Sequence, residues 1–141
     1  MRRILMALTI SFMTSGLALG AALSVKDEMK TVVEPATNTI FAVGGEVDPA
    51  NGPEAAKTPA ARWEEALQAA HALTKAAADL NGPQKRPGDT WTKSGADFAR
   101  LAGDAARAAE KKDGAGLSAA ANGLGDTCTA CHSKYKSQTG A

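Results

Sequence analysis

The sequence predicts an all-α fold, an antiparallel up-down-up-down four-helix bundle formed by a single domain. Aromatic residues make up only 4% of the 141-residue chain, and alanine supplies much of its hydrophobic content. This composition favours helices, because strands prefer β-branched and aromatic side chains. Four segments repeat apolar residues at helical spacing, and fairly short breaks separate them. Short connections between amphipathic helices are typical of an up-and-down bundle.

Residues 1–22 are predicted to be a signal peptide, and residues 23–141 the mature domain. Two arginines follow Met1, an apolar run extends to Leu23, and small residues occupy positions 20–22, where a signal peptidase would cut. The alternative is an uncleaved anchor helix, because the run approaches membrane-spanning length. The leader predicts export to the periplasm, with no stable membrane insertion after cleavage. The formal net charge of +1 gives no basic field for nucleic acid, so we expect no nucleic-acid partner.

The first helix is predicted over residues 25–43. Ser24 is its expected N-cap, paired with Asp27 in an arrangement that resembles a capping box. Pro35 removes one backbone donor and is predicted to kink the helix near Thr31. The two consecutive glycines at positions 44 and 45 are predicted to end it, and a loop should follow up to residue 57. The predicted apolar face consists of Val25, Met29, Val32, Ala36, Ile40 and Val43.

The remaining helices are predicted over residues 59–80, 89–112 and 114–137. Thr58 is the expected N-cap of the second helix, with Pro59 at its first helical position, where the missing N–H costs nothing. The fourth helix contains four glycines, each of which destabilises a helix interior by about 1 kcal/mol relative to alanine. A bound group would help to offset that loss.

The segment Cys128-Thr129-Ala130-Cys131-His132 is a C-x-x-C-H motif, the attachment signature of c-type haem. On a helix, Cys128 and Cys131 lie on adjacent turns of one face, so their thiols can form thioethers with the two haem vinyl groups. His132 projects within about 100° of the same arc and can coordinate the iron. The motif therefore predicts one covalent haem c, with His132 as an axial ligand.

The two cysteines have three other interpretations. A thioredoxin-like redox enzyme normally has a strand before its C-x-x-C, and none is predicted before Cys128. A structural zinc site needs four ligands, but the mature chain offers two cysteines, His132 and the distant His71. A disulfide between residues three apart would constrain little. The sequence shows no Ser/His/Asp set or carboxylate pair arranged for hydrolysis, so we do not expect an enzyme.

With this motif at the extreme C-terminus of an exported helical chain, the sequence resembles the class II c-type cytochromes. These are cytochrome c′ and its low-spin relatives, whereas most c-type cytochromes carry the haem motif near the N-terminus. Residues 25–29, 33–36 and 40–43 are also similar to the first helix of one exported subgroup. The resemblance covers essentially the whole mature chain.

The resemblance implies a four-helix bundle with haem at one end, attached at Cys128 and Cys131 and ligated by His132. Several relatives have an arginine four residues after the proximal histidine, whereas this chain has Lys136. Relatives often form homodimers through the first two helices. The small, alanine-rich faces of this chain suit either a monomer or a homodimer.

The sixth iron ligand separates two functions. Low-spin relatives use a methionine from the first helix, which favours electron transfer with transient redox protein partners. Met29 is the only methionine of the mature chain, and an antiparallel bundle places it at about the same height as His132. The alternative is a five-coordinate, high-spin haem, as in cytochromes c′, that binds the small gases NO or CO against an apolar wall of Met29, Val32 and Val33. His71 is predicted to be solvated rather than ligating.

Two aromatic residues and four basic residues are predicted near the haem end of the bundle. Trp91 and Tyr135 are expected to pack beside the haem, whereas Trp63 is expected at the opposite end. The basic residues would dock an acidic redox partner or pair with haem propionates, unless they form only a solvated face. These four residues are Lys85, Arg86, Lys134 and Lys136.

Overall fold

A computed structural model describes residues 23–136, and this part of the chain is helical without any strand. Helix α1 spans residues 25–46, α2 spans Ala60–Asn81, α3 spans Asp89–Lys111 and α4 spans Gly114–Tyr135. A 3₁₀ segment, Pro49–Lys57, connects α1 to α2 within the predicted loop. The predicted signal peptide and the predicted end of the last helix at residue 137 lie outside the described residues. Within residues 23–136, no helix combines the length and hydropathy that crossing a membrane requires.

Helix α1 is built from an α-helical turn, a π-helical segment and a longer α-helix, with bounds Val25–Glu28, Met29–Val33 and Glu34–Glu46. The predicted cap is confirmed: the Ser24 hydroxyl accepts the Asp27 N–H at 3.1 Å and donates to the Asp27 carboxylate at 2.7 Å. The predicted disturbance before Pro35 takes the form of the π-helical segment.

The prediction that the two glycines would end α1 was wrong. The helix continues through Gly44 and Gly45 to Glu46. A Cβ atom on Gly44 would lie only 2.9 Å from the Cβ of Ala121 on α4. Gly44 therefore allows α1 and α4 to pack closely, and this long-range contact outweighs the low helix propensity of the glycine pair.

The start of α2 also differs from the prediction. Pro59 occupies the N-cap position in an extended conformation, and the helix begins at Ala60. The Thr58 hydroxyl donates back to the carbonyl of Ala55 at 3.0 Å, so it does not cap α2. The Thr58 hydroxyl, which the sequence pattern predicted as the cap of α2, is thus hydrogen-bonded within the 3₁₀ segment.

Helices α3 and α4 begin where the sequence predicts. Helix α3 starts at Asp89 and ends one residue early, because Lys112 adopts a left-handed conformation with φ of 53°. Helix α4 starts at Gly114, and the side chain of Asp113 accepts the Gly116 N–H at 3.0 Å. The short break between these helices is thus a compact turn with a side-chain cap.

The core lies between four helices that contact one another in a ring, α1 with α2, α2 with α3, α3 with α4, and α4 with α1. Many of its members are small, and this allows close helix approach. A Cβ atom on Gly123 of α4, for example, would lie 2.6 Å from the Leu101 side chain of α3. The largest fully buried side chains are Ile40, Val43, Leu73, Leu117 and Leu124.

Candidate functional site

A cavity of about 620 Å³ opens at the end of the bundle where α1 begins and α4 ends. All four helices contribute to its walls, and most of the lining is apolar. Its volume falls in the usual range of small-molecule and cofactor sites. The cavity is therefore the candidate functional site of the described chain.

The C-terminal motif lines this cavity through Cys128, Cys131 and His132. The two cysteines are half-buried free thiols, and His132 is exposed. Burial raises the pKa of the Cys128 thiol, and the neighbouring Cys131 raises it further. Burial also raises the pKa of Cys131. Catalytic thiols of redox enzymes have lowered pKa values instead, so these two thiols lack that activating environment.

Helix α1 forms a wall of the same cavity, and Met29 and Val33 belong to it. Met29 is half-buried and packs against the core. The structure therefore brings the predicted methionine and His132 into one cavity. Val32, predicted as part of the apolar wall, packs against the core without lining the cavity.

Trp91 and Tyr135 also line the cavity, and both are buried. Their rings form an edge-to-face pair with centroids 5.3 Å apart. The Trp91 indole N–H donates to the Leu80 carbonyl at 3.0 Å, and the Tyr135 hydroxyl donates to the Pro87 carbonyl at 3.5 Å. The two predicted aromatic residues thus form part of the wall that joins α3 to α4, while their packing against haem stays a prediction.

Sequence reasoning missed several lining residues, of which Thr37, Ser94 and Phe98 are buried. Phe98 follows Trp91 by seven residues on α3, a spacing that could have indicated the same face. Thr37 is only 6% exposed, and its hydroxyl oxygen has no hydrogen-bond partner among the described residues. A buried hydroxyl without a partner is costly, and this oxygen is itself buried rather than open to the cavity.

The four predicted basic residues differ in how they lie relative to the aromatic pair and the cavity. The Arg86 guanidinium lies 5.8 Å from the Trp91 ring centroid, and the Lys134 ammonium lies 5.9 Å from that of Tyr135. Lys136 lines the cavity, whereas Lys85 is exposed and does not. Three of the four basic residues thus lie at the cavity or on the aromatic residues that line it.

Two residues considered at the sequence level lie away from the cavity lining. His71 is exposed on α2, in agreement with its predicted solvation. Trp63 is buried near the beginning of α2 and belongs to the core. Within residues 23–136, no group of three or more His, Cys, Asp or Glu side chains is arranged to hold a metal ion.

Comparisons with protein-family models, with curated proteins and with solved structures return no match for this chain. The functional interpretation therefore rests on the motif, the cavity and the residues that line it.

Proposed function

We propose that this chain is an exported class II c-type cytochrome, a periplasmic one-electron carrier rather than an enzyme. One observation carries the proposal: Cys128, Cys131 and His132 of α4 line the same cavity as Met29 of α1. The motif would supply two attachment points and His132 as an iron ligand, and Met29 would supply a thioether as a second iron ligand.

The proposal includes an antiparallel up-down-up-down arrangement of the four helices. Two observations on α1 and α4 support it: Met29 and Cys131 line the same cavity, and Gly44 packs closely on Ala121. The beginning of α1 thus meets the end of α4, and its end meets an earlier part of α4. Similarly, Asn81 at the end of α2 donates through its side chain to the Gly95 carbonyl, in the first half of α3, at 2.9 Å.

The residues of the cavity fit a haem c group. Two thiols at helical spacing, an imidazole and a thioether are the donor set that such a group requires. The apolar walls suit a porphyrin ring.

Haem c would supply an iron that gains and loses one electron. The chain's own residues would hold and shield it: Cys128 and Cys131 through thioether bonds, His132 and Met29 as axial ligands. A methionine ligand raises the reduction potential of the haem iron relative to ligation by two histidines. Trp91 and Tyr135 would pack beside the ring. The cations near the cavity, with Arg86 and Lys134 in contact with these aromatic rings, would attract an acidic redox partner for transient docking.

A second candidate function is the binding of NO or CO at a five-coordinate, high-spin haem. The observation that favours it is the apolar wall formed by Val25, Val33 and Phe98, which would admit small uncharged molecules. This candidate would share the haem attachment and the His132 ligation, and it would differ only in that Met29 would not bind the iron.

The absorption spectrum of the haem-loaded protein distinguishes these functions. We expect covalent haem, low-spin ferric and ferrous spectra, a weak far-red sulfur-to-iron band and no response to CO. A high-spin spectrum that shifts with CO would support gas binding instead. If cells able to mature c-type cytochromes produced the chain without covalent haem, both candidate functions would be wrong.

A further inference from the structure

We propose that the π-helical segment Met29–Val33, kept open by Pro35, turns Met29 toward the cavity, where an uninterrupted α-helix would place Lys30. This inference rests on the proposed function only for the role of Met29 as a ligand. The orientation of α1 itself can be tested without that assumption.

The hydrogen bonding of α1 shows the interruption directly. The Glu34 N–H donates to the Met29 carbonyl, a bond that spans five residues instead of the four of an α-helix. Pro35 has no N–H for the Thr31 carbonyl, and its ring would clash with that carbonyl in a regular α-helix. The wider turn removes this conflict by taking up one extra residue.

The extra residue rotates the preceding part of α1 about the helix axis. Each residue of an α-helix advances by about 100°, so residue 30 of an uninterrupted helix would lie within about 20° of the direction of Thr37. Residue 29 would lie about 80° away from that direction. Thr37 is buried and lines the cavity. With the extra residue, Met29 takes the angular position that Lys30 would otherwise have.

The burial of α1 agrees with this rotation. In an uninterrupted helix, Glu28 would lie about 180° from Thr37, on the opposite face. In the structure, Glu28 is only 3% exposed and Met29 is half-buried, whereas Lys30 borders the cavity as an exposed side chain. Burying a carboxylate is unfavourable. The rotation therefore has an energetic cost, the burial of the Glu28 carboxylate. The same rotation places Met29 and Val25 in the cavity wall.

The first experiment replaces Pro35 with alanine in the haem-loaded protein. Pro35→Ala restores the missing backbone donor, so we expect a regular α-helix, loss of the far-red band and a shift from low spin to high spin or to nitrogen ligation by Lys30. Pro49→Ala is the matched control, because Pro49 lies in the 3₁₀ segment away from the cavity. It should leave the spectrum unchanged.

Deleting Thr31 in the Pro35→Ala background provides a rescue. Thr31 is exposed and lies within the π-helical segment, so its removal takes out the extra residue and returns Met29 to the cavity side in a regular α-helix. We expect the far-red band to return. A Pro35→Ala protein that keeps its band, or a deletion that fails to restore it, would overturn the positioning role.

Thiol labelling tests the rotation independently of haem ligation. In the chain that retains Pro35, an alkylating reagent should react slowly with Glu28→Cys and rapidly with Lys30→Cys, with peptide mapping to locate the label. In the Pro35→Ala background, this order should reverse. The opposite order in the Pro35 chain would show that the inference is wrong even if Met29 proves to be a ligand. A high-spin native protein with the expected labelling order would instead refute only the ligand role.

Discussion

The rings of Trp91 and Tyr135 meet edge to face, with centroids 5.3 Å apart and planes at 84°. This pair joins the first turn of α3 to the last turn of α4 beside the candidate cofactor cavity. Each ring is also tied to backbone, Trp91 to the Leu80 carbonyl at 3.0 Å and Tyr135 to the Pro87 carbonyl at 3.5 Å. The wall of the cavity is therefore held by packing and hydrogen bonds of the protein itself.

Tyr135→Ala should destabilise the protein by about 3–5 kcal/mol, the usual cost of removing a large buried ring. Tyr135→Phe should cost much less, because it keeps the edge-to-face contact, worth about 0.5–1.5 kcal/mol, and loses only a long hydrogen bond. Denaturant unfolding followed by circular dichroism measures both. Equal losses for the two variants would mean that the hydroxyl, rather than the ring pair, stabilises this corner.

Met29→Ala should convert a low-spin spectrum to a high-spin one and make the iron reactive toward CO, because among residues 23–136 it removes the only thioether that lines the cavity. The neighbouring Lys30→Ala is the control and should retain the low-spin spectrum. Ferric and ferrous absorption spectra with and without CO report the result. A low-spin spectrum in Met29→Ala would exclude this residue as the ligand.

His132→Ala should abolish the normal proximal coordination while the thioethers at Cys128 and Cys131 hold the haem. Intact mass should therefore still show covalent haem, but the absorption spectrum should change. His71→Ala, which alters an exposed histidine away from the cavity, should leave both unchanged. The prediction fails if the His132 variant has a native spectrum.

Gly44→Ala and its neighbour Gly45→Ala should have opposite effects on stability. A methyl group at Gly44 would meet the Ala121 Cβ at 2.9 Å, so overpacking should cost about 1–3 kcal/mol. A methyl group at Gly45 meets nothing within 4 Å and should stabilise the helix by about 0.5–1 kcal/mol. Thermal unfolding of both variants tests this, and a stabilising Gly44→Ala would argue against the close α1–α4 approach.

Asp48 should make stability depend on acidic pH. Its carboxylate accepts the Ala50 N–H and the Ser118 hydroxyl, both at 2.8 Å, and these bonds lower its pKa below the ordinary value. A lowered folded-state pKa means that its contribution is present above the unfolded value of about 3.9 and is lost as pH falls through the folded value. Asp48→Asn should therefore flatten the decline of the unfolding midpoint below about pH 4. An unchanged pH profile would mean that Asp48 does not contribute.

Local patterns were sufficient to predict the helices. Apolar spacing located all four, and capping chemistry located the start of α1, because the stabilising contacts lie within a few residues of each other. The predictions were wrong where contacts with groups outside the predicted helix determine how it ends or is capped. The glycine pair did not end α1, because the packing of Gly44 on Ala121 of α4 favours a continuing helix. The hydroxyl of Thr58 turned back to the 3₁₀ segment instead of capping α2.

For the candidate site, the sequence by itself determined the spacing of Cys128, Cys131 and His132, because one helical turn brings such close neighbours together. Only the tertiary structure decided what faces them. The meeting of α1 with α4 placed Met29 in the same cavity, left Val32 packed against the core outside its wall, and added Thr37 to the lining. The physical reason is that helix periodicity is a local property, whereas the rotation of one helix against another depends on backbone interruptions and on packing between residues far apart in the chain.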